Sequence, residues 1–187
     1  MTLLTLGVIV FALVHFIPSL APGIKARAQA GLGDNGWKGL FSLTLLLSLA
    51  MMIVGWRHTQ PAFLYSPPQG LHLPAIGLLL IAFLLLVASA RPTRLRLYIR
   101  HPQLTGVALW SIGHLLLNGD QRSLILFGGL AAWAIGEMIA INRRDGGWTK
   151  ESPPGWGQEV FTLIITVTVV TLVVQVHPWL SGKTVYW

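Results

Sequence analysis

The stretch YIRHPQLTGVALWSIGHLLLNGDQRSLILFGGLAAWAIGEMIAINRR, residues 98–144, decides the fold. Two apolar runs, 102–118 and 121–141, are separated by little more than Asn118-Gly119-Asp120. Each run is about as long as a helix must be to cross roughly 30 Å of hydrocarbon. Asn, Gly and Asp each favour a tight turn, through local side-chain hydrogen bonds or a permissive backbone. The two runs therefore read as an antiparallel helical hairpin. Neither alternates polar and apolar residues with period two, which argues against a membrane barrel. Helices then remain as the structure that satisfies its own backbone in lipid.

Working outward, similar runs occur at 2–20, 38–56, 72–90 and 158–177. The expectation is an all-α bundle of six transmembrane helices forming one domain over 1–187. Composition agrees. The chain is 53% hydrophobic and 10% charged, against roughly 25% charged in soluble domains, so it cannot cover a globular surface with polar groups. The first run does not read as a signal peptide. It has no basic leading segment, and HFIPSLAPG offers no clear small-residue cleavage site. The two halves show no internal repeat, which lowers a transporter or channel reading. The absence of cysteine removes disulfides, thiolate ligands and thiol catalysis.

The net charge of +7 is distributed by loop. Lys25, Arg27 and Lys38 border the first link, Arg91, Arg94, Arg96 and Arg100 the third, and Arg143, Arg144 and Lys150 the fifth. Arg57, Arg122 and Lys183 fall on the opposite side. By the positive-inside rule the richer side is cytoplasmic and both termini lie outside. The expected location is a membrane with one face to the cytoplasm. The surplus charge is thus topological. It makes the membrane surface, rather than nucleic acid, the electrostatic partner. The fifth link, DGGWTKESPPGWG (145–157), is a Gly/Pro/Ser-rich loop with two tryptophans at interface depth.

Three ionisable residues lie inside predicted spans: His15, His114 and Glu137. Such groups are costly in lipid and mark functional sites by default. His114 follows Trp110 by one turn and has Ser111 nearby. An imidazole can hold a metal through one nitrogen while an acceptor orients the other. The plainer alternative is a histidine that hydrogen-bonds a neighbouring helix. His15 sits in FALVHFIPSLAPG, where Pro18 frees the carbonyl of Val14. Pairing with that carbonyl is its plain reading. Two membrane histidines on different helices raise a b-type haem held between helices. Depth opposes that pair, because His15 lies inward of its span's middle and His114 outward of its own. Tilted helices, or His101 in place of His114, would reconcile the ligands.

Glu137 lies near the cytoplasmic end of its span, with a small-residue stripe of Ala132, Gly136 and Ala140 around it. It reads as an ion pair with Arg100, Arg143 or Arg144, or as an acid, base or cofactor contact. Arg100-His101-Pro102 opens its helix with a proline suited to the first turn. An arginine beside a helix N-terminus suits an anion such as a haem propionate, a lipid headgroup or the carboxylate of S-adenosylmethionine. Gly106, one turn in, would let a group approach closely.

The segments RHPQLTGVALWSIGHLLLNGD (100–120), LVHFIPSLAPG (13–23), GDNGWKGLFSL (33–43) and LILFGGLAAWAIGEMIAINRRDG (124–146) resemble the NnrU family of bacterial membrane proteins. The resemblance runs nearly the full length. It implies a denitrification setting, an accessory role beside a denitrification protein, or a redox or isomerase-like activity. The same motifs are similar to those of plant zeta-carotene cis–trans isomerases, which hold haem b. That similarity implies iron ligands at His15 and His114 and a lipophilic substrate. It also implies a cysteine three residues before the second ligand, where this chain has Ser111, so ligand exchange at that position does not carry over. A more local likeness, Arg-His-Pro-x-x-x-Gly with a glutamate in the next span, resembles membrane methyltransferases that act on lipophilic substrates. It implies S-adenosylmethionine contacts at Arg100, His101, Gly106 and Glu137.

Overall fold

The computed structural model describes residues 1–150 and 152–182. Lys183, counted among the outer charges above, lies outside the described residues. The described chain is helical and contains no strand; its one bridge pairs Phe63 with Asp120. Six long elements follow one another: α1 (Thr2–Leu20), α2 (Pro22–His58), α3 (His72–Ser89), α4 (Pro102–Leu117), α5 (Gln121–Asp145) and α6 (Trp156–Ser181). All but α4 are long and apolar enough to cross a membrane. At 16 residues α4 is about 24 Å long, somewhat short of the roughly 30 Å of hydrocarbon.

The expected run boundaries match these helices except at the first link. There the sequence predicts a loop over 21–37, and the chain is helical from Pro22 onward. Proline suits a first helical turn. Lys25, Ala26, Arg27, Ala28, Gln29 and Ala30 are strong helix formers, which a search for apolar runs passes over. The backbone breaks at Gly33 (φ 73°, ψ 168°). That left-handed conformation is one glycine adopts without a Cβ penalty. The segment before it carries exposed Ile24 and Leu32 beside Lys25 and Arg27, the composition of a helix lying at a membrane interface.

The bundle has two chemically distinct ends. At the first, the Met1 amine donates to Thr59 Oγ1 at 2.8 Å. There the Trp56 indole donates to the Ser181 carbonyl at 3.1 Å, which brings the starts of α1 and the ends of α2 and α6 together. The link between α2 and α3 covers the α4–α5 turn at this end. Its Leu64 and Tyr65 amides donate to the Gly119 carbonyl, and the Gln121 amide donates to Ala62. A Cβ at Gly119 would run into the Tyr65 carbonyl. Tyr65 also donates through its hydroxyl to the carbonyls of Leu115 and Asn118. Burial and the charge of Asp120 hold its phenol above the usual range, so it remains a donor. Asp120 caps α5 by accepting from the Ser123 amide at 3.0 Å.

The second end is basic. Arg144 donates to the Pro18 carbonyl at the close of α1, and Arg100 to the Gly146 carbonyl after α5. Arg91 donates to Gln158 and Thr162 of α6, and the Arg94 amide to Glu159. Trp156 lies under the Arg94 guanidinium and Trp148 under the Lys150 ammonium.

Between the ends, α1, α2, α4 and α5 enclose a core of Leu4, Val8, Met52, Trp56, Ala108, Phe127, Leu130, Trp133 and Ala134. Small residues set the closest approaches. A Cβ on Gly7 would meet the Ser48 carbonyl at 2.9 Å, and one on Gly55 the Leu4 amide nitrogen at 2.5 Å. Gly106 and Gly113 do the same for α4 against α3, where their nearest neighbours are Ala82, Leu86, Ala75 and Leu79. Meanwhile Leu13, Leu46 and Val167 stay exposed. This pattern, small and hydroxylated residues inside and large aliphatics outside, is that of helices packed in lipid.

Candidate functional site

α6 is the loosest member of the bundle. Its buried residues are Thr162 and Thr166, both in its first half. Beyond them a cavity of about 620 Å³ opens among α2 to α6. That volume falls in the range of small-molecule and cofactor sites. Its walls include Met52 and Trp56 of α2, Ile76 and Phe83 of α3, Trp110 and His114 of α4, Phe127 and Leu130 of α5, and Val174 and His177 of α6. Ile53, Leu80 and Leu180 line it too and reach the molecular surface, so the cavity opens sideways where lipid tails would lie. Its polar groups are few: His72, His114, Asn118, His177 and Ser181.

His114 is fixed from two directions. Its Nδ1 lies 2.9 Å from the Trp110 carbonyl. A carbonyl can only accept, so Nδ1 carries the proton and Nε2 carries the lone pair. The ring stacks on Phe127 with centroids 4.4 Å apart and 23° between planes, and it also touches Trp110. Phe127 belongs to the π-helical stretch Leu124–Gly128 that opens α5. Such wide turns re-aim side chains and recur at functional sites. The neighbour expected from sequence, Ser111, is fully buried and is absent from the cavity wall.

His15 has the same internal geometry but a different setting. Its Nδ1 donates to the Phe11 carbonyl at 2.9 Å, one turn back, rather than to the Val14 carbonyl that Pro18 leaves free. The ring is held by Phe11, Trp133 and Phe41, at 4.2, 4.7 and 5.8 Å between centroids. It does not line the cavity. Trp133 beside His15 and Phe127 beside His114 are six residues apart on α5, about 9 Å along its axis. The structure thus keeps the two histidines on separate levels, with no shared ring partner. His101 is further away still. Its Nε2 pairs with Asn142 at 2.9 Å, nine residues beyond Trp133, or about 14 Å.

The polar residues nearer the basic end form separate contacts as well. Glu137 is buried and accepts from Ser19 Oγ at 3.0 Å. Of the three arginines expected as partners, Arg144 is the one near enough to act on it electrostatically. In the expected small-residue stripe, Ala132 points outward. The buried face is Leu130, Trp133, Ala134, Glu137 and Ala140. Arg100 is engaged by Gly146, His101 by Asn142, and Gly106 by α3. Each of the four residues of the methyltransferase pattern is thus engaged by a different neighbour.

A resident b-type haem, implied by the resemblance, needs a histidine with its lone pair on one nitrogen beside an apolar space. His114 and the cavity meet that requirement, and His15 meets only its first half. Among the described residues, no three His, Asp or Glu side chains converge at metal-binding distance. An iron already held by a macrocycle asks for one or two histidines.

Fold and site together define a polytopic helical membrane protein with a histidine-walled cavity at one end of the bundle. The chain belongs to the NnrU family, whose model, described as NnrU protein, matches residues 3–185. No curated protein and no solved structure matches it. Sequence reasoning missed His177, Phe127, His72 and Trp56. The usable signal was depth: His177 stands toward the end of its span away from the basic loops, as His114 does in its own.

Proposed function

We propose that this NnrU-family protein binds b-type haem in the bacterial inner membrane, with His114 as the ligand from α4. The observation that carries the reading is His114 itself. Its Nδ1 proton is committed to the Trp110 carbonyl, and its ring lines a cavity of about 620 Å³. Trp56, Trp110 and Phe127 supply apolar faces around it. When bound, the haem supplies a redox-active iron. The chain's own residues hold and orient it and keep water out. The family resemblance adds the setting, a redox or accessory task in nitrogen-oxide metabolism. The side opening adds that a lipophilic molecule could reach the site from the bilayer. An isomerase-like activity is less favoured, because Ser111 stands where that chemistry would exchange ligands.

The test is the absorption spectrum of the full chain, purified after expression with ample haem, oxidised and then reduced. A Soret band is expected, reduced at least tenfold per protein in His114→Ala. Colourless wild-type protein would sink the reading.

A further inference from the structure

We infer that His177 of α6, rather than His15 of α1, is the second histidine of this site, facing His114 across the cavity. The inference rests on the proposed haem reading and concerns which residue completes it. His114 and His177 line the same cavity from different helices, and His15 does not. The two are also near enough for their charges to interact. A macrocycle-held iron can take one histidine on each face.

His177, like His114, has its Nδ1 hydrogen-bonded within its own helix. The Ser181 hydroxyl donates to the His177 carbonyl at 2.9 Å, and its oxygen lies 3.1 Å from His177 Nδ1. A hydrogen-bonding partner on one ring nitrogen, which orients the ring, is the usual support of a histidine ligand. The turn bearing His177 is also held in place. Trp56 donates to the Ser181 carbonyl and Arg57 to the Trp179 carbonyl, tying the end of α6 to the end of α2. Pro178 follows directly and has no amide to give the Val174 carbonyl, so the helix can bend at that turn. Trp56 lines the cavity as well, so one tryptophan both walls the site and anchors the helix that carries the second histidine.

The experiment compares spin state in the purified full-length protein. Wild type should give a six-coordinate, low-spin spectrum in both oxidation states. His177→Gly should become five-coordinate and high-spin, bind carbon monoxide in the reduced form, and return to low spin when imidazole is added. The imidazole return separates a lost ligand from a protein that has not folded. His15→Ala should leave the spectrum as in wild type. A low-spin spectrum surviving in His177→Gly overturns the inference, as does a low-spin state lost in His15→Ala or His72→Ala. Those results would leave His114 and the haem reading standing, whereas colourless wild-type protein would remove both.

Discussion

At the scale of single residues, the most heavily committed charge is Arg122. It is 8% exposed, and its guanidinium donates to the Trp56 and Thr59 carbonyls at 3.3 and 3.2 Å. It lies 3.5 Å from Asp120 and stacks 4.3 Å above the Trp56 ring. One side chain thus joins the end of α2 to the start of α5, next to the cavity. Removing Arg122 would leave the Trp56 and Thr59 carbonyls short of a donor and Asp120 without its counter-charge, and breaking such a pair costs several kcal/mol. Arg122→Ala should lose about 3 kcal/mol of stability, read as a lowered unfolding midpoint in detergent. Arg122→Lys should recover little, since a single ammonium cannot serve two carbonyls, a carboxylate and a ring face together. A change within about 0.5 kcal/mol for Arg122→Ala would mean the pair behaves like an exposed one. In sequence Arg122 reads as a topological charge and no more, because its carbonyl partners lie more than sixty residues upstream. His114 was legible for the opposite reason: a titratable group inside an apolar run announces its own cost. His177 was not, because a polar residue near the end of a span costs little.

At the scale of elements, α1 and α2 are held by backbone approach more than by large side chains. Gly55 is the test position. A Cβ there would fall 2.5 Å from the Leu4 nitrogen and 2.8 Å from its Cα, and backbone atoms cannot swing aside as a side chain can. Gly55→Ala should therefore push α1 off α2 and cost about 1–3 kcal/mol. Gly77, in α3, faces open space. There the same substitution should stabilise by up to about 1 kcal/mol, the helix-propensity difference alone. Opposite shifts in unfolding midpoint are expected, and equal shifts would show that close approach is not what binds the pair. The positions of the helices were readable from apolar run length, since lipid imposes that length. The helix before Gly33 and the π-helical start of α5 were not. The first is polar, and the second is a matter of hydrogen-bond register, which hydropathy does not encode.

At the scale of the whole molecule, the charge pattern and the helix directions combine into one orientation. Met1 and Ser181 sit at the same end of the bundle, through their bonds to Thr59 and Trp56. Arg91, Arg100 and Arg144 sit at the other. An even number of crossings would satisfy this arrangement, with α4 traversing the layer despite its 16 residues. Its deficit of about 6 Å is within what local thinning or snorkelling of flanking residues accommodates. On the positive-inside expectation the arginine-rich end faces the cytoplasm, which would place the cavity, with His114 and His177, nearer the outer face. Because the chain has no cysteine, single cysteines report the orientation without background. Ser66, in the α2–α3 link, and Thr149, after α5, are both exposed and at opposite ends. In intact cells a membrane-impermeant maleimide should label Ser66→Cys and leave Thr149→Cys unlabelled until the membrane is permeabilised. The reverse pattern would invert the molecule and move the cavity to the inner leaflet. Labelling of both sites from outside would break the two-ended arrangement itself, and with it the crossing by α4 that brings His114 to the cavity.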